Sequence, residues 1–225
     1  YDHLSKSVVE LQQFKWSRIP VNGKDHKHSF VRDGDEKLLF KVEVDASEGK
    51  DKIKGSVTGG MKDLLVLKSS GSAFENFYVD EYTTLTPVSD RILSTAIDSE
   101  YTYALSNTPL TIDGLADLDK AVKFQEVAKS AKAITLELFA TDESASVQAT
   151  MYKMAQEILK ENSTVSSVTY RLPNKHYVPV NLSFFKLENM TPPDKAEVFT
   201  PLESPRSVLF VAYDPGIICF TPANS

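Results

Sequence analysis

Leu38, Phe40, Val42 and Val44 alternate with Lys37, Lys41, Glu43 and Asp45, with Leu39 the one exception. This period-two pattern predicts a half-buried strand. Upstream, Val8 to Ile19 reads as a β-rich run, and Val21-Asn22-Gly23-Lys24-Asp25 between the two supplies turn chemistry, so an antiparallel hairpin is expected. The segment Ser47 to Gly60, glycine-rich and charged, reads as a linker. Two further strands are expected, from Leu64 to Ser69 and from Ile92 to Ala104.

Phe124, Val127, Ala128, Ala131, Ile134 and Leu138 recur at spacings of three and four, the face of an amphipathic helix. Val147, Met151, Met154, Ala155 and Ile158 repeat the pattern, with Ser144 or Ser146 as N-cap and Asn162 as the stop. Alternation then returns in Val168, Tyr170 and Leu172 and in Val178, Val180, Leu182 and Phe184, with Pro173-Asn174-Lys175 read as the turn between two strands. Strand pair, two helices, strand pair is an α+β unit in which helices cover one face of an antiparallel sheet. The whole unit lies in residues 56–225. Residues 1–55 hold only a closing hairpin, as though an equivalent unit had lost its first strand pair and its helices.

In a chain of 225 residues, 25 Lys+Arg against 31 Asp+Glu leave a net charge of −6, which argues against nucleic acid or an anionic membrane as partner. The single cysteine, Cys219, excludes an intrachain disulfide and any multi-thiolate metal site, and a reducing compartment fits. No apolar run approaches the length of a membrane span. The sequence opens at Tyr1-Asp2-His3 without initiator Met, basic start or apolar leader, so a fragment without a signal peptide is expected.

The segment Leu64-Leu65-Val66-Leu67-Lys68-Ser69-Ser70-Gly71-Ser72-Ala73-Phe74, continued by Phe77, Tyr82, Leu85 and Arg91, resembles the signature of the urate oxidase (uricase) family. His26-Lys27-His28-Ser29-Phe30, Ser146-Val147-Gln148 and Pro173-Asn174-Lys175-His176-Tyr177 agree in the same order along the chain. The resemblance implies a subunit of two tandem T-fold domains, a homotetramer with active sites between subunits, and cofactor-free oxidation of urate by dioxygen to 5-hydroxyisourate and hydrogen peroxide. It also implies that most of the first T-fold domain precedes Tyr1.

Phe74 alone would read as core; the resemblance makes it the ring that stacks on the purine, where dispersion and quadrupole terms suit a flat anion. Arg91 alone would read as a surface charge; the family places an arginine here to hold urate, and the guanidinium fork presents paired donors to adjacent acceptors. Gln148 would grip the opposite edge with an amide that both donates and accepts, and Val147 would contribute a main-chain contact. Asn174 would contact the dioxygen or water site. His176 would serve a proton relay with a lysine and a threonine that lie before Tyr1, a task suited to imidazole's pKa of about 6.5.

His26 and His28 could suggest a metal site, but without a third ligand they read as a turn and strand start, and the family uses no metal. Gly59-Gly60 lacks the pattern of a phosphate loop. The chain departs from the family at Pro205-Arg206-Ser207-Val208-Leu209, where a Pro-x-Gly turn is usual, and in the tail from Tyr213 to Ser225. That tail ends in Ala223-Asn224-Ser225 and carries no Ser-Lys-Leu-type address, so a peroxisomal location is implied by the family alone. The rival readings are a non-catalytic purine- or pterin-binding T-fold and an inactive truncated product.

Overall fold

The structure is a computed structural model that describes residues 4–49, 52–84, 87–105, 118, 120, 122–143, 146–189, 196–214 and 217–222, with Asn174 and the residues from 203 onward described by their backbone alone. Leu85, Ser144 and the last three residues of the tail lie outside the described residues.

The expected first hairpin forms from β1 (Lys6–Val21) and β2 (Lys24–Asp45). Val21 pairs with Lys24 across a two-residue turn in which Asn22 and Gly23 take φ of 52° and 77°. Positive φ at both positions matches the right-handed twist of the flanking strands, and Asn-Gly tolerates it. The hairpin register shifts between Phe14 and Trp16, opposite the stretch of β2 where Gly34 is at φ 73°. His26 and His28 lie within β2: the backbone amide of His28 donates to His26 Nδ1, and the Arg18 guanidinium donates to the carbonyls of His26 and Lys27.

The second half of the expected linker, from Lys54 to Gly60, is strand. β3 (Lys54–Lys68) takes up Gly55 to Gly60 and pairs with β2 from Asp45↔Lys54 to Lys37↔Lys62. The two glycines serve close approach here. A Cβ on Gly59 would sit 2.5 Å from the Tyr101 ring, and one on Gly60 would sit 2.3 Å from the Ser99 carbonyl oxygen. The following strand, β4 (Leu93–Tyr103), matches its expected range closely.

Both helices form where their apolar faces predict. They are α1 (Phe124–Thr141) and α2 (Val147–Glu161). Ser146 is the N-cap of α2, its hydroxyl accepting from the Ala149 amide at 3.2 Å. Asn162 ends α2 and donates to the Ile158 carbonyl at 2.9 Å and to Ser130 Oγ on α1 at 3.1 Å, so one side chain stops one helix and ties it to the other.

After the helices, β5 (Val165–Pro179) runs straight through Pro173-Asn174-Lys175, where a turn was expected. Proline has no N–H for a ladder, and the chain absorbs it in a register shift between Pro173 and Lys175 against β6 (Phe199–Asp214). Nor does Val178 to Phe184 form its own strand: β5 ends at Pro179, and Ser183–Phe185 is a single 3-10 turn that leaves Phe184 and Phe185 exposed. With β7 (Ile217–Pro222), the strands make one seven-stranded antiparallel sheet in chain order.

The helices bury Val127, Ala131, Phe139, Met151, Met154 and Ile158 against Ile97, Tyr101, Val168 and Tyr170 of the sheet. A polar contact within this layer is satisfied locally: Thr135 Oγ1 donates to the Ala131 carbonyl at 2.7 Å and meets the Tyr170 hydroxyl at 2.5 Å. Burial pushes the Tyr170 phenol far above its ordinary pKa, so it stays neutral. The apolar face of the β1–β2 hairpin is partly covered, because Phe40 meets Phe124 of α1 edge to face at 5.1 Å and Leu38 and Val42 also pack on the core. The exposed apolar surface sits instead on β1, at Val9, Leu11 and Trp16.

Candidate active site

Strand direction decides which ends meet. β3 rises to Lys68, which pairs with Leu93 at the start of β4; Ser94 and Thr95 pair with Lys175 and Asn174 of β5. α2 leads into the start of β5, at the other end of the sheet, so its own N-terminus lies at the Lys68 end. Lys68 fixes that meeting by donating from Nζ to the Asp142 carbonyl at 2.6 Å. The Asp142 carboxylate in turn accepts from Thr150 Oγ1 at 2.7 Å and from Lys153. The register thus gathers Phe74, Arg91, Val147, Gln148, Asn174 and His176 at one end of the sheet, although they come from four separate stretches of chain.

Phe74 and Arg91 are in direct contact. Phe74 bridges back to Val88 through two backbone hydrogen bonds, Phe74 N to Val88 O at 2.7 Å and Val88 N to Phe74 O at 2.9 Å. The Arg91 amide donates to the Ser72 carbonyl at 2.9 Å. These bonds bring the Arg91 guanidinium carbon to 5.0 Å from the centre of the Phe74 ring, within cation–π range. Phe77 also stacks on that ring, with centroids 4.7 Å apart and planes inclined by 24°. Phe74 and Phe77 are both only half-buried, so this aromatic pair is not a core plug.

The charge at Arg91 is unbalanced by its surroundings. Burial lowers its pKa, and among the described residues it has no ion-pair partner and its Nε is buried without a hydrogen-bond partner. A guanidinium keeps its charge through such a shift, so a partly desolvated cation lies over an aromatic face. That arrangement can hold a flat anion.

Val147 and Gln148 occupy the first turn of α2 and are half-buried. The amides of a first turn have no intrahelical partner, and the positive end of the helix dipole favours negative charge beside it. Asn174 pairs through its backbone with Thr95, and His176 pairs with Leu202 on β6 and is half-buried. A cleft of about 720 Å³ opens elsewhere, between the β1–β2 hairpin and α1, lined by Leu11, Trp16, Phe40, Tyr103 and Lys129 among others. Its lining is mostly apolar, and its Lys132 is paired with Glu36 at 2.5 Å, so it offers no aromatic ring with a guanidinium over it of the kind that Phe74 and Arg91 form.

One residue of this site escaped the sequence reading. Asp90 accepts from Ser70 Oγ at 2.7 Å, from the Gly71 amide at 2.7 Å and from the Ser72 amide at 3.3 Å. The Ser70 hydroxyl, then the amides of Gly71, Ser72 and Arg91, hold its carboxyl below the usual range against a smaller cost of burial. The signal was its place beside Arg91 and opposite a Ser-Gly-Ser turn, but an acidic residue next to an arginine reads first as its ion-pair partner.

The sequence model of the uricase family matches residues 57–209. Among curated relatives, the uricase of Aspergillus flavus is 42% identical over 211 residues, which cover 93% of this chain and 66% of that protein. The uricase of Schizosaccharomyces pombe is 44% identical over 190 residues, covering 84% of this chain and 60% of that one. The crystal structure of uricase from Arthrobacter globiformis superposes with a TM-score of 0.73 at 30% identity, over 95% of this chain and 64% of that one. The chain spans just under two thirds of the length of these relatives.

Proposed function

This chain belongs to the uricase family and folds as its antiparallel sheet with two helices, the T-fold, and on that premise we propose that the complete protein is a urate oxidase. In this reading, urate loses two electrons to dioxygen and water adds a hydroxyl to the oxidised ring, so that urate, O2 and H2O give 5-hydroxyisourate and H2O2. No metal or flavin takes part.

The observation that carries the proposal is the partly buried, unbalanced guanidinium of Arg91 poised at 5.0 Å over the Phe74 ring. Phe74 stacks on the purine, and Arg91 directs two N–H groups to one edge of the anion. Gln148 takes the opposite edge, and the Val147 amide adds a donor at the positive end of α2. Asn174 orients dioxygen or water with its neutral amide. His176 passes protons, together with the lysine and threonine that the family resemblance places outside this sequence.

The same resemblance supports residues 1–55 as the closing hairpin of a first T-fold unit and residues 56–225 as the second. It also supports a homotetramer in the peroxisome. Exposed Val9, Leu11 and Trp16 on the edge strand β1 are consistent with a surface that further protein covers.

The test is to give the full-length protein urate in air and follow urate by absorbance and peroxide by a coupled dye. One peroxide released per urate consumed, unaffected by chelator and without added flavin, is the expected result. Tight urate binding without turnover would instead favour a purine-binding protein.

A further inference from the structure

We propose that Asp90 is a positioning residue of the candidate site: its carboxylate clamps the Ser70–Ser72 turn onto the start of β4 and so fixes how the Arg91 guanidinium stands over the Phe74 ring. The inference rests on the reading of Phe74 and Arg91 as urate-binding residues.

The described residues between Ser72 and Arg91, 73–84 and 87–90, lie outside the named strands. They include exposed Tyr78 and Tyr82 and a small turn in which the Asp80 carboxylate accepts from Thr83 Oγ1 and the Tyr82 amide. Phe74 lies just inside the outgoing end and Arg91 just after the returning end. Their relative placement therefore depends on whatever ties the two ends together.

Three backbone hydrogen bonds do part of this: the two of the Phe74–Val88 bridge and the Arg91 amide to the Ser72 carbonyl. Asp90 supplies the rest. Its Oδ1 accepts from the amides of Gly71 and Ser72, and its Oδ2 accepts from Ser70 Oγ, so one side chain of the returning end holds three consecutive residues of the outgoing end. Gly71 makes this possible by taking φ of 80°, where a side chain would be strained.

The clamp has an electrostatic consequence. A carboxylate next in sequence to Arg91 is the obvious candidate to neutralise it. Here that carboxylate is committed to two amides and a hydroxyl of the Ser70–Ser72 turn, and it forms no ion pair with the guanidinium. The arginine is left to meet its counter-charge in the ligand. Asp90 thus performs two tasks with one geometry: it orders the aromatic and cationic walls, and it keeps the cation receptive to an anion.

An asparagine can reproduce the clamp. Its Oδ1 can accept from the two amides, while its Nδ2 donates to Ser70 Oγ, a hydroxyl able to accept as well as donate. An alanine cannot. In the full-length protein, Asp90→Ala is expected to raise the Michaelis constant for urate by about tenfold or more, because three hydrogen bonds to a charged group are lost, with a smaller change in kcat. Asp90→Asn is expected to return it to within about threefold of the parent, and Ser70→Ala, a milder change that keeps the two amide bonds, to raise it by only a few fold.

Arg91→Ala, measured alongside, separates the two levels of inference. If Arg91→Ala weakens urate binding but Asp90→Ala and Ser70→Ala leave the Michaelis constant unchanged, the Asp90 clamp is overturned and the site stands. If Arg91→Ala itself leaves urate binding unchanged, the reading of the site fails and the clamp fails with it. If Asp90→Ala does not fold, Ser70→Ala and Asp90→Asn carry the test. Equal loss of kcat and melting temperature in both, with an unchanged Michaelis constant, would reduce Asp90 to a structural residue and contradict the proposal.

Discussion

Replacing Arg91 by lysine keeps the charge and removes the fork. In the structure the guanidinium is half-buried over Phe74, so an incoming anion meets a cation that has already given up part of its water. A lysine at this place would offer one point of contact where the arginine offers two parallel N–H groups, and its compact ammonium is more strongly hydrated and tolerates the same burial less well. Losing one charge-assisted hydrogen bond amounts to about 1.5–3 kcal/mol, so Arg91→Lys is expected to raise the Michaelis constant for urate by roughly 10- to 100-fold. The assay is initial-rate loss of urate absorbance across a range of urate concentrations, with the melting temperature recorded to confirm that the variant is folded. Arg171→Lys, on the exposed side of β5, serves as control and should change the constant by less than about twofold. An Arg91→Lys enzyme that matches this control would remove Arg91 from the binding site, and with it the geometric basis of the proposed function.

Gly60→Ala puts a Cβ 2.3 Å from the Ser99 carbonyl oxygen, a backbone atom that cannot swing away, and should destabilise the fold by about 1–3 kcal/mol or more; urea unfolding measures this, and an unchanged midpoint would show that β3 and β4 do not approach as described. Because the Asp90 carboxyl is held below its ordinary pKa of 3.8, its contribution to stability is full above that value and fades as the pH falls through the lowered native value. The stability gap between the parent and Asp90→Ala should accordingly be constant near neutrality and close in acid, and a gap that widened in acid would contradict the sign. Residues 1–225 expressed alone should turn over no urate and should self-associate through the edge strand β1, whose Leu11 and Trp16 are more than half exposed; light scattering and a urate assay check both, and a soluble monomer with activity would refute the expectation.

What the sequence made legible were the features that local chemistry decides. The apolar faces of α1 and α2, the Ser146 cap and the Asn22-Gly23 turn each follow from spacing or from a residue whose backbone preference is strong, and each is found where it was expected. The misreadings share a cause. Ser47 to Gly60 looked like a linker because glycine usually marks freedom, yet Gly59 and Gly60 lie in a strand with Tyr101 and the Ser99 carbonyl against them, which is a property of the neighbouring strand. Pro173 looked like a turn because it cannot donate, yet a register shift removes the need for a donor.

The candidate site divides in the same way. Phe74 and Arg91 were visible through a family resemblance, and their contact follows from the Phe74–Val88 bridge. Asp90 was not visible, because its partners are main-chain amides and a hydroxyl that only the fold brings to it.

A crystal structure of the full-length protein with urate bound under anaerobic conditions tests the central claim most directly. The purine should lie flat on the Phe74 ring, with the Arg91 guanidinium along one edge and the Gln148 amide along the other. Urate seated in the cleft between the β1–β2 hairpin and α1, or held without contact to Phe74 and Arg91, would contradict the account.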